Sequence, residues 1–281
     1  MKATHDAAGE GKTAESGRAM LKKEKVELAD AHCHIDMARD RKMVGDAVRA
    51  GVLTMVTNGV SFSTNRRALE ASDWKHVFPA LGMDPENAIS VGEEDFDAQV
   101  NAVIGQIREN GNRIAAIGEI GLDYKKASTF DMVAKQKTVF GKMLDLAAEL
   151  KLPVSVHSRN AMDDVLAMLK ERGMGEVHLH FFEGSVLQAK EAERGGYMIS
   201  IPPLESNKRR GVIRDIAIDS IMAESDAPAV GASPAAVEFA VKMIADTKGM
   251  KFESVAEALT ANTKRFFRLR NGLAHAHLTR T

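Results

Sequence analysis

The run VELADAHCH, residues 26–34, leads from an apolar segment, Val26–Ala31, into a pair of histidines, His32 and His34. Further apolar runs follow, separated by segments with helical periodicity such as 131–150. They are Val52–Thr57, Val77–Gly82, Ile114–Ile120, Pro153–Val156, Val177–Phe181, Tyr197–Ile201 and Ser220–Ala223. Runs that are apolar on both faces are typical of parallel strands, because helices cover both sides of such a sheet. The sequence therefore predicts an α/β protein with eight parallel strands.

Two architectures accommodate eight strands that alternate with helices, a closed (β/α)₈ TIM barrel and an open doubly wound sheet. Polar residues at the ends of the first, fourth, fifth, sixth and eighth runs distinguish them. These residues are His32, His34, Glu119, His157, His180 and Asp226. A barrel brings all of these ends to one mouth, whereas an open sheet separates the first strand from the eighth. We therefore predict a single (β/α)₈ TIM barrel over residues 26–271, closed by a helix at about 253–269, with flexible tails at 1–25 and 272–281.

The overall charge excludes some classes of function. The chain has 281 residues, and 38 Lys and Arg against 39 Asp and Glu give a net charge of −1. This excludes a strongly basic protein that holds duplex DNA mainly by counterion release, but it allows binding at a strand end. The single cysteine, Cys33, excludes an internal disulfide. We expect a cytoplasmic monomer without a membrane span, and no nucleotide cofactor because Walker and GxGxxG motifs are absent.

His32 and His34 predict a metal site. Side chains alternate along a strand, so the two imidazoles share a face while Cys33 points away. Such a pair also occurs in ordinary cores and surfaces, but further potential ligands at neighbouring strand ends favour a metal. Glu119 is one of them, because a glutamate in an apolar, glycine-flanked run is costly to bury unless it is paired or bound to a cation. Its two oxygens can bridge two cations, and no basic residue follows before Lys125.

The later strand ends supply the remaining candidates. His157 and His180 end the fifth and sixth runs and are candidate ligands, whereas His178 lies about two residues deeper and is read as a core histidine. Asp226 can both ligate a metal and accept a proton from water, and Glu224 one layer below supports other side chains. Arg159 shares the face of His157 and is a candidate either for binding a phosphate or for a surface ion pair.

The motifs in this order resemble the TatD family of metal-dependent DNases, within the amidohydrolase-like TIM barrels. The resemblance extends from about Val26 to Phe267. The stretches that carry it are Asp30–Asp36, Ile117–Tyr124, Leu152–Arg159, His180–Gly184 and Glu224–Pro228. It implies a hydrolase that cleaves phosphodiester bonds, with the ends of DNA strands as substrate and water as the attacking group.

The same resemblance implies two divalent metal ions, Mg²⁺, Mn²⁺ or Zn²⁺, and assigns roles to the residues. One ion is implied at His32, His34, Glu119 and Asp226, and the other at Glu119, His157 and His180. Glu119 and Asp226 are the implied catalytic residues, with Asp226 as proton acceptor. Arg159 and Lys125 are candidates for neutralising the substrate phosphate.

One departure from the family pattern bears on the substrate. After the third strand the family has a histidine where this chain has Asp84. A carboxylate there opposes a phosphate and weakens its turnover, unless Asp84 turns away to cap the following segment. Two other functions stay open beside the nuclease: a barrel hydrolase of an ester, lactone or amide, and a catalytically silent binding protein.

Overall fold

The computed structural model describes residues 26–37, 42–270 and 273–274. Its main sheet has eight parallel strands in sequence order, each hydrogen-bonded to the next. They are β1 (Leu28–Cys33), β2 (Val52–Asn58), β3 (Val77–Leu81), β4 (Ala116–Asp123), β5 (Val154–Arg159), β6 (Val177–Leu179), β7 (Met198–Ile201) and β8 (Ile221–Ala223). All eight predicted runs are strands, and each strand overlaps its predicted run.

The first and last strands meet and close the sheet into a barrel. The backbone N–H of Asp226 donates to the His32 carbonyl at 3.0 Å, and that of His34 donates to the Ala227 carbonyl at 2.7 Å. The parallel strands in sequence order and this closure confirm the predicted (β/α)₈ TIM barrel. Because all strands run the same way, their carboxyl ends form one mouth.

Helices alternate with the strands and cover the outside of the barrel. They are α1 (Lys42–Ala50), α2 (Phe62–Ala71), α3 (Pro85–Ser90), α4 (Phe96–Asn110), α5 (Phe130–Leu150), α6 (Met162–Glu171), α7 (Val186–Arg194), α8 (Asn207–Asp215), α9 (Val237–Lys248) and α10 (Phe252–Phe266). Ser61, Asp84, Thr129, Ser185 and Ser206 cap the amino termini of five of these helices through side-chain oxygens. The predicted closing helix is α10. Among the described helices, none is long and apolar enough to cross a membrane.

Several predicted strand ends were wrong by one to three residues. β1 includes Cys33, and β4 continues past Ile120 to Asp123. β4 can continue there because residue 121 is a glycine: its φ is +139°, and a Cβ atom would lie 2.0 Å from the His157 carbonyl oxygen. The close approach of β4 and β5 at this point holds Glu119 and His157 on neighbouring strands.

The predicted tails fall largely beyond the described ranges. Residues 1–25 and 275–281 lie outside the described residues, as does residue 272. Leu273–Ala274, within the predicted carboxy-terminal tail, pair antiparallel with Leu269–Arg270. The barrel core itself is densely apolar, with Phe140, Met55 and Phe267 fully buried.

Candidate metal centre

The six predicted ligands converge at the mouth of the barrel around the carboxylate of Glu119. Its Oε2 lies 3.4 Å from Nε2 of His32 and 3.4 Å from Nε2 of His34. Its Oε1 lies 3.0 Å from Nδ1 of His157 and 3.0 Å from Nε2 of His180. The residue is only 5% exposed. Glu119 therefore stands between two pairs of imidazoles, with one oxygen facing each pair.

Irregular pairing of two strands accompanies this arrangement. Between Ile117 and Ile120, β4 advances by three residues while β5 advances by two, so one extra residue lies next to Glu119. The same excess occurs in β1 against β2 between Asp30 and Cys33, beside His32. A β-bulge bends its strand locally and turns a side chain to a new direction. Both bulges thus contribute to the direction in which the side chains of Glu119 and His32 point.

Asp226 completes the group on the side of His32 and His34. Its Oδ1 lies 3.5 Å from Nε2 of His34 and 4.0 Å from Nε2 of His32. The residue has a φ of 48°, in the left-handed region that aspartate tolerates better than most residues. The backbone hydrogen bond to the His32 carbonyl that closes the barrel also fixes Asp226 in place.

Neighbouring groups determine which imidazole nitrogens face the centre as acceptors. Nδ1 of His34 lies 2.8 Å from the Asn58 carbonyl oxygen, and Nε2 of His157 lies 3.3 Å from Oδ2 of Asp123. Because these oxygens accept, each of these nitrogens carries a proton and the other ring nitrogen presents its lone pair in the neutral ring. Outer partners of this kind orient histidines in metal sites.

A chain of buried polar groups lies beneath the centre. Nδ1 of His32 lies 3.4 Å from the Ser155 hydroxyl, which in turn lies 3.2 Å from Nδ1 of His178. Nε2 of His178 lies 2.7 Å from the Ser200 hydroxyl, and that hydroxyl donates to Glu224 at 2.5 Å. His178 and Glu224 are therefore buried groups that contact other side chains, as the sequence predicted.

The pKa values describe a strongly charged cluster. Burial raises the pKa of Glu119, but the charge of His180 and hydrogen bonds from His157, His180 and His32 outweigh it and hold that pKa well below the usual range. Burial lowers the pKa of His34 and of His157, yet their carboxylate partners raise both to about 10. The carboxylate of Glu119 therefore stays ionised, and positive charge is favoured on His34 and His157.

The donor set fits divalent cations. Nε2 of His32 and Nε2 of His34 face each other at 3.2 Å, and so do Nδ1 of His157 and Nε2 of His180. Two neutral imidazoles with facing lone pairs repel unless a proton or a cation lies between them. Two overlapping groups of potential ligands, His32–His34–Asp226 and His32–Glu119–His180, have their ligand atoms within 4.8 Å of one another.

The predicted phosphate-binding residues lie at the same mouth. Arg159 is partly buried at the end of β5, and in the described part of the chain no carboxylate forms an ion pair with it. Lys125 is exposed in the turn after β4, where its backbone N–H donates to Asp123 at 2.9 Å. The ion-pair alternative for Arg159 is therefore not found among the described residues.

Asp84 lies at the amino terminus of α3, where its Oδ1 accepts from the backbone N–H of Asn87 at 2.8 Å. The capping alternative is thus the arrangement observed. The carboxylate nevertheless lies near the metal centre: burial, and then the negative charge of Glu119, raise the pKa of Asp84 to about 6.

Sequence reasoning assigned no role to several residues that contact the ligands. The Asp123 carboxylate contacts His157, and the Asn58 carbonyl contacts His34. The hydroxyls of Ser155 and Ser200 belong to the chain of buried polar groups beneath the centre. Ser155 shares a strand face with His157 two residues later, and Asp123 ends an apolar strand, so both carried a signal. Asn58 contacts His34 through its backbone carbonyl, so its side-chain type could not predict this contact.

Comparisons with known proteins identify the family of the chain. The profile of the TatD-related DNase family matches residues 29–268. The chain belongs to the TatD family. A human relative named as deoxyribonuclease TATDN3 is 32% identical over 264 residues, covering 86% of this chain and 95% of the relative. A Bacillus subtilis relative, the uncharacterised metal-dependent hydrolase YabD, is 31% identical over 86% of this chain and 99% of its own length.

Solved structures agree on the fold. The TatD homologue YjjV from Escherichia coli superposes with a TM-score of 0.77, at 24% identity, over 86% of this chain and 98% of that chain. At this identity the likeness shows the fold alone. The family match, the candidate ligand groups and the names of the relatives show that this TatD-family protein is a metal-dependent hydrolase.

Proposed function

We propose that this TatD-family protein is a phosphodiesterase that removes nucleotides from the ends of DNA strands and uses two divalent ions. The observation that carries the proposal is the position of Glu119, with each carboxylate oxygen 3.0–3.4 Å from a separate pair of imidazoles. A buried carboxylate between two sets of nitrogen ligands suits a shared ligand of two cations. The deoxyribonuclease name of the human relative supports the substrate class.

The proposed ligands divide into two sets that share Glu119. The first ion is assigned to His32, His34, Glu119 and Asp226, and the second to Glu119, His157 and His180. Because imidazoles dominate the set, Zn²⁺ or Mn²⁺ suits it better than Mg²⁺, which prefers oxygen ligands. The chemistry that bound ions supply here is Lewis-acid activation of water and stabilisation of charge on phosphoryl oxygens.

The chain's own side chains carry the remaining steps. Burial raises the pKa of Asp226, but His34 and the other histidines outweigh it and bring the value below the usual range, so the carboxylate is ionised at neutral pH. Asp226 therefore accepts the proton of the attacking water. Arg159 and Lys125 bring positive charge to the phosphate, and Arg159 has the fork geometry for two of its oxygens.

A second candidate function rests on Asp84. Its carboxylate lies near the centre and adds negative charge that an anionic phosphate disfavours. A neutral ester, lactone or amide does not meet that repulsion. A hydrolase of such a substrate would use the same ligands and the same proton acceptor.

The decisive experiment combines metal analysis with paired substrates. Purified protein is loaded with Zn²⁺ or Mn²⁺, its metal content is measured, and hydrolysis is followed for end-labelled single-stranded DNA and for a neutral carboxylic ester. We expect close to two ions per chain and release of mononucleotides from one end. Ester hydrolysis without DNA cleavage would favour the second candidate, and a protein that binds no metal and cleaves neither would be a silent binding protein.

Glu119→Ala tests the shared ligand within this experiment. We expect loss of both ions and a fall in turnover well beyond the roughly 10- to 100-fold typical of an outer partner of a ligand. Glu94→Ala, at an exposed glutamate outside the centre, is the matched control and should keep the wild-type metal content. Near-wild-type metal content and rate in Glu119→Ala would refute the assignment.

A further inference from the structure

A polar cavity lies at the same end of the barrel as the metal centre. It encloses about 550 Å³ between the segments that follow β5, β6 and β7, and its wall includes Ser158, Phe182, Lys208 and Arg209. Ser158 follows the ligand His157 in the chain, and Phe182 lies two residues after the ligand His180. The volume is in the range of sites that hold small organic ligands.

Arg209 is the unusual residue of this wall. It is only 9% exposed, yet within the described ranges no carboxylate forms an ion pair with it. Its Nη1 donates to the Leu204 carbonyl, and its Nε has no hydrogen-bond partner among the described residues. The nearby Glu205 pairs instead with Arg210, at 2.6 Å. A buried guanidinium without an anion is costly, because its charge has lost water and gained no partner.

The carboxylates of the wall form no ion pair with Arg209 among the described residues. Asp163 accepts from Gln188 at 2.6 Å, and Asp164 is held by Lys137 at 2.7 Å and by the Tyr124 hydroxyl. Burial lowers the pKa of Arg209, with Glu183 and Glu224 acting against that effect only through their charge. The hydroxyl oxygen of Ser158, a residue 8% exposed, also has no partner in the described part of the chain.

Ring contacts connect this arginine to the metal centre. The Arg209 Cζ lies 5.6 Å from the centre of the Phe181 ring, and that ring lies 6.5 Å from the ring of His180. Phe181 follows His180 directly and has a φ of 47°, so the chain turns sharply there. The guanidinium therefore lies on the cavity side of a proposed metal ligand, about one aromatic ring away from it.

We propose that the cavity binds the nucleotide next to the scissile bond. In this proposal Arg209 pairs with the phosphate on the far side of that nucleotide, which is not cleaved. This rests on the phosphodiesterase function proposed above and names a specificity determinant for it. A planar guanidinium that lacks an anion matches the paired oxygens of a phosphate. Lys208, whose Nζ donates to the Glu183 carbonyl at 2.5 Å, adds positive charge to the same wall.

A chemical double-mutant cycle tests the pairing. The metal-loaded enzyme is assayed on a thymidine trinucleotide and on two analogues of it. Each analogue carries an uncharged methylphosphonate at one of the two linkages, so the analogues are isomers of each other. The more reactive isomer is the one whose remaining phosphodiester can be cleaved. For wild type we expect the uncharged linkage to lower kcat/KM by about 10- to 100-fold, the loss typical of a charge-assisted hydrogen bond.

Arg209→Gln provides the other side of the cycle. It should lower kcat/KM on the natural trinucleotide by the same factor and have little further effect on the methylphosphonate isomer, because the partner charge is already gone. Arg214→Gln, which removes the same charge from an exposed position of α8, should keep the wild-type ratio. If Arg209→Gln does not fold, Arg209→Lys takes its place, since lysine cannot reproduce the fork.

The outcomes separate the two proposals. If wild type cleaves the substrates but the effects of Arg209→Gln and of the methylphosphonate simply add, the pairing is overturned while the phosphodiesterase function stands. If metal-loaded wild type cleaves none of the three substrates, the proposed function fails and this inference fails with it. Equal metal content in all variants confirms that the comparison reports on substrate binding.

Discussion

Individual residues at this centre act through contacts that the ligand list alone does not describe. Nε2 of His157 lies 3.3 Å from Asp123, while its Nδ1 faces Glu119. Asp123 itself is ionised: burial raises its pKa, but its bonds to His157 and to backbone N–H groups outweigh this and lower it. The carboxylate thus orients the ring and increases the electron density of the nitrogen that faces the centre.

Asp123→Asn is expected to weaken metal binding by about 10- to 100-fold, the range typical of an outer partner. The amide keeps the shape but removes the charge that holds His157 in its tautomer. The measurement is a competitive titration with a chelator of known affinity. Asp131→Asn, at an exposed position of α5, is the control. Unchanged affinity in Asp123→Asn would show that the charge of Asp123 does not support metal binding through His157.

Protonation of the histidines predicts how metal affinity depends on pH. The pKa values of His34 and His157 are both raised to about 10, so both rings are positively charged at neutral pH before metal binds. Ligation needs neutral imidazoles, so binding displaces protons and affinity rises with pH. Displacement of two protons gives a change of about 100-fold per pH unit.

The check is a metal titration at pH 6, 7 and 8, with proton release measured in weak buffer. Affinity that stays constant over this interval, or metal content that persists unchanged to about pH 4, below the histidine reference pKa, would argue against imidazole ligation.

At the scale of secondary-structure elements, β1 and β4 both contain a bulge beside the proposed central ligands. Asp84 precedes α3 and caps its amino terminus. The short helix α3, Pro85–Ser90, needs a cap, and Asp84 supplies it through Asn87. The same carboxylate faces Glu119 closely enough for the two charges to interact. Asp84 therefore caps the helix and would also repel an anionic substrate.

Two substitutions separate these roles. Asp84→Asn keeps a capping oxygen and removes the charge, so it should raise phosphodiester turnover several-fold without loss of stability. Asp84→His should also raise turnover but cost about 1 kcal/mol of the free energy of unfolding, because the cap is lost. Both are assayed on a short DNA strand at equal metal content. An unchanged or lower nuclease rate in both variants would contradict the claim that the charge of Asp84 lowers phosphodiester turnover.

At the scale of the whole molecule, the proposed ligands join parts of the barrel that are distant in sequence. They come from β1, β4, β5, the ends of β6 and β8, and therefore from both sides of the closure. Asp30 of β1 and Ser225 after β8, separated by 195 positions, are bonded through side chains at 2.5 Å in the same region. A cation bound by the proposed ligands would link the first strand of the barrel to the last.

Metal binding should therefore stabilise the entire domain. At a free metal concentration about 100 times Kd, binding to the folded state alone adds about 2.7 kcal/mol, which corresponds to a rise in Tm of roughly 5–10 °C. Differential scanning calorimetry with metal and with excess chelator measures this shift. Glu119→Ala should show none, and an equal rise in that variant would mean that the metal binds elsewhere.

Much of this protein could be read from its sequence. The eight strands follow from apolar runs, because burial on both faces requires apolar residues whatever the final packing. The HxH pair, Glu119, His157, His180 and Asp226 could be selected because polar residues at the ends of such runs meet at one mouth of a barrel. The resemblance of the motifs to the TatD family indicated a metal-dependent hydrolase from the sequence alone.

Other features depended on the tertiary structure. The extra residues in β1 and β4, the carbonyl of Asn58 and the position of Glu119 between two imidazole pairs arise from strand register and closure, which join residues far apart in the chain. The burial of Arg209 without an anion is likewise invisible in the sequence, where it is one basic residue among neighbours on α8. Local patterns determine residue type and burial, whereas register decides which polar atoms meet.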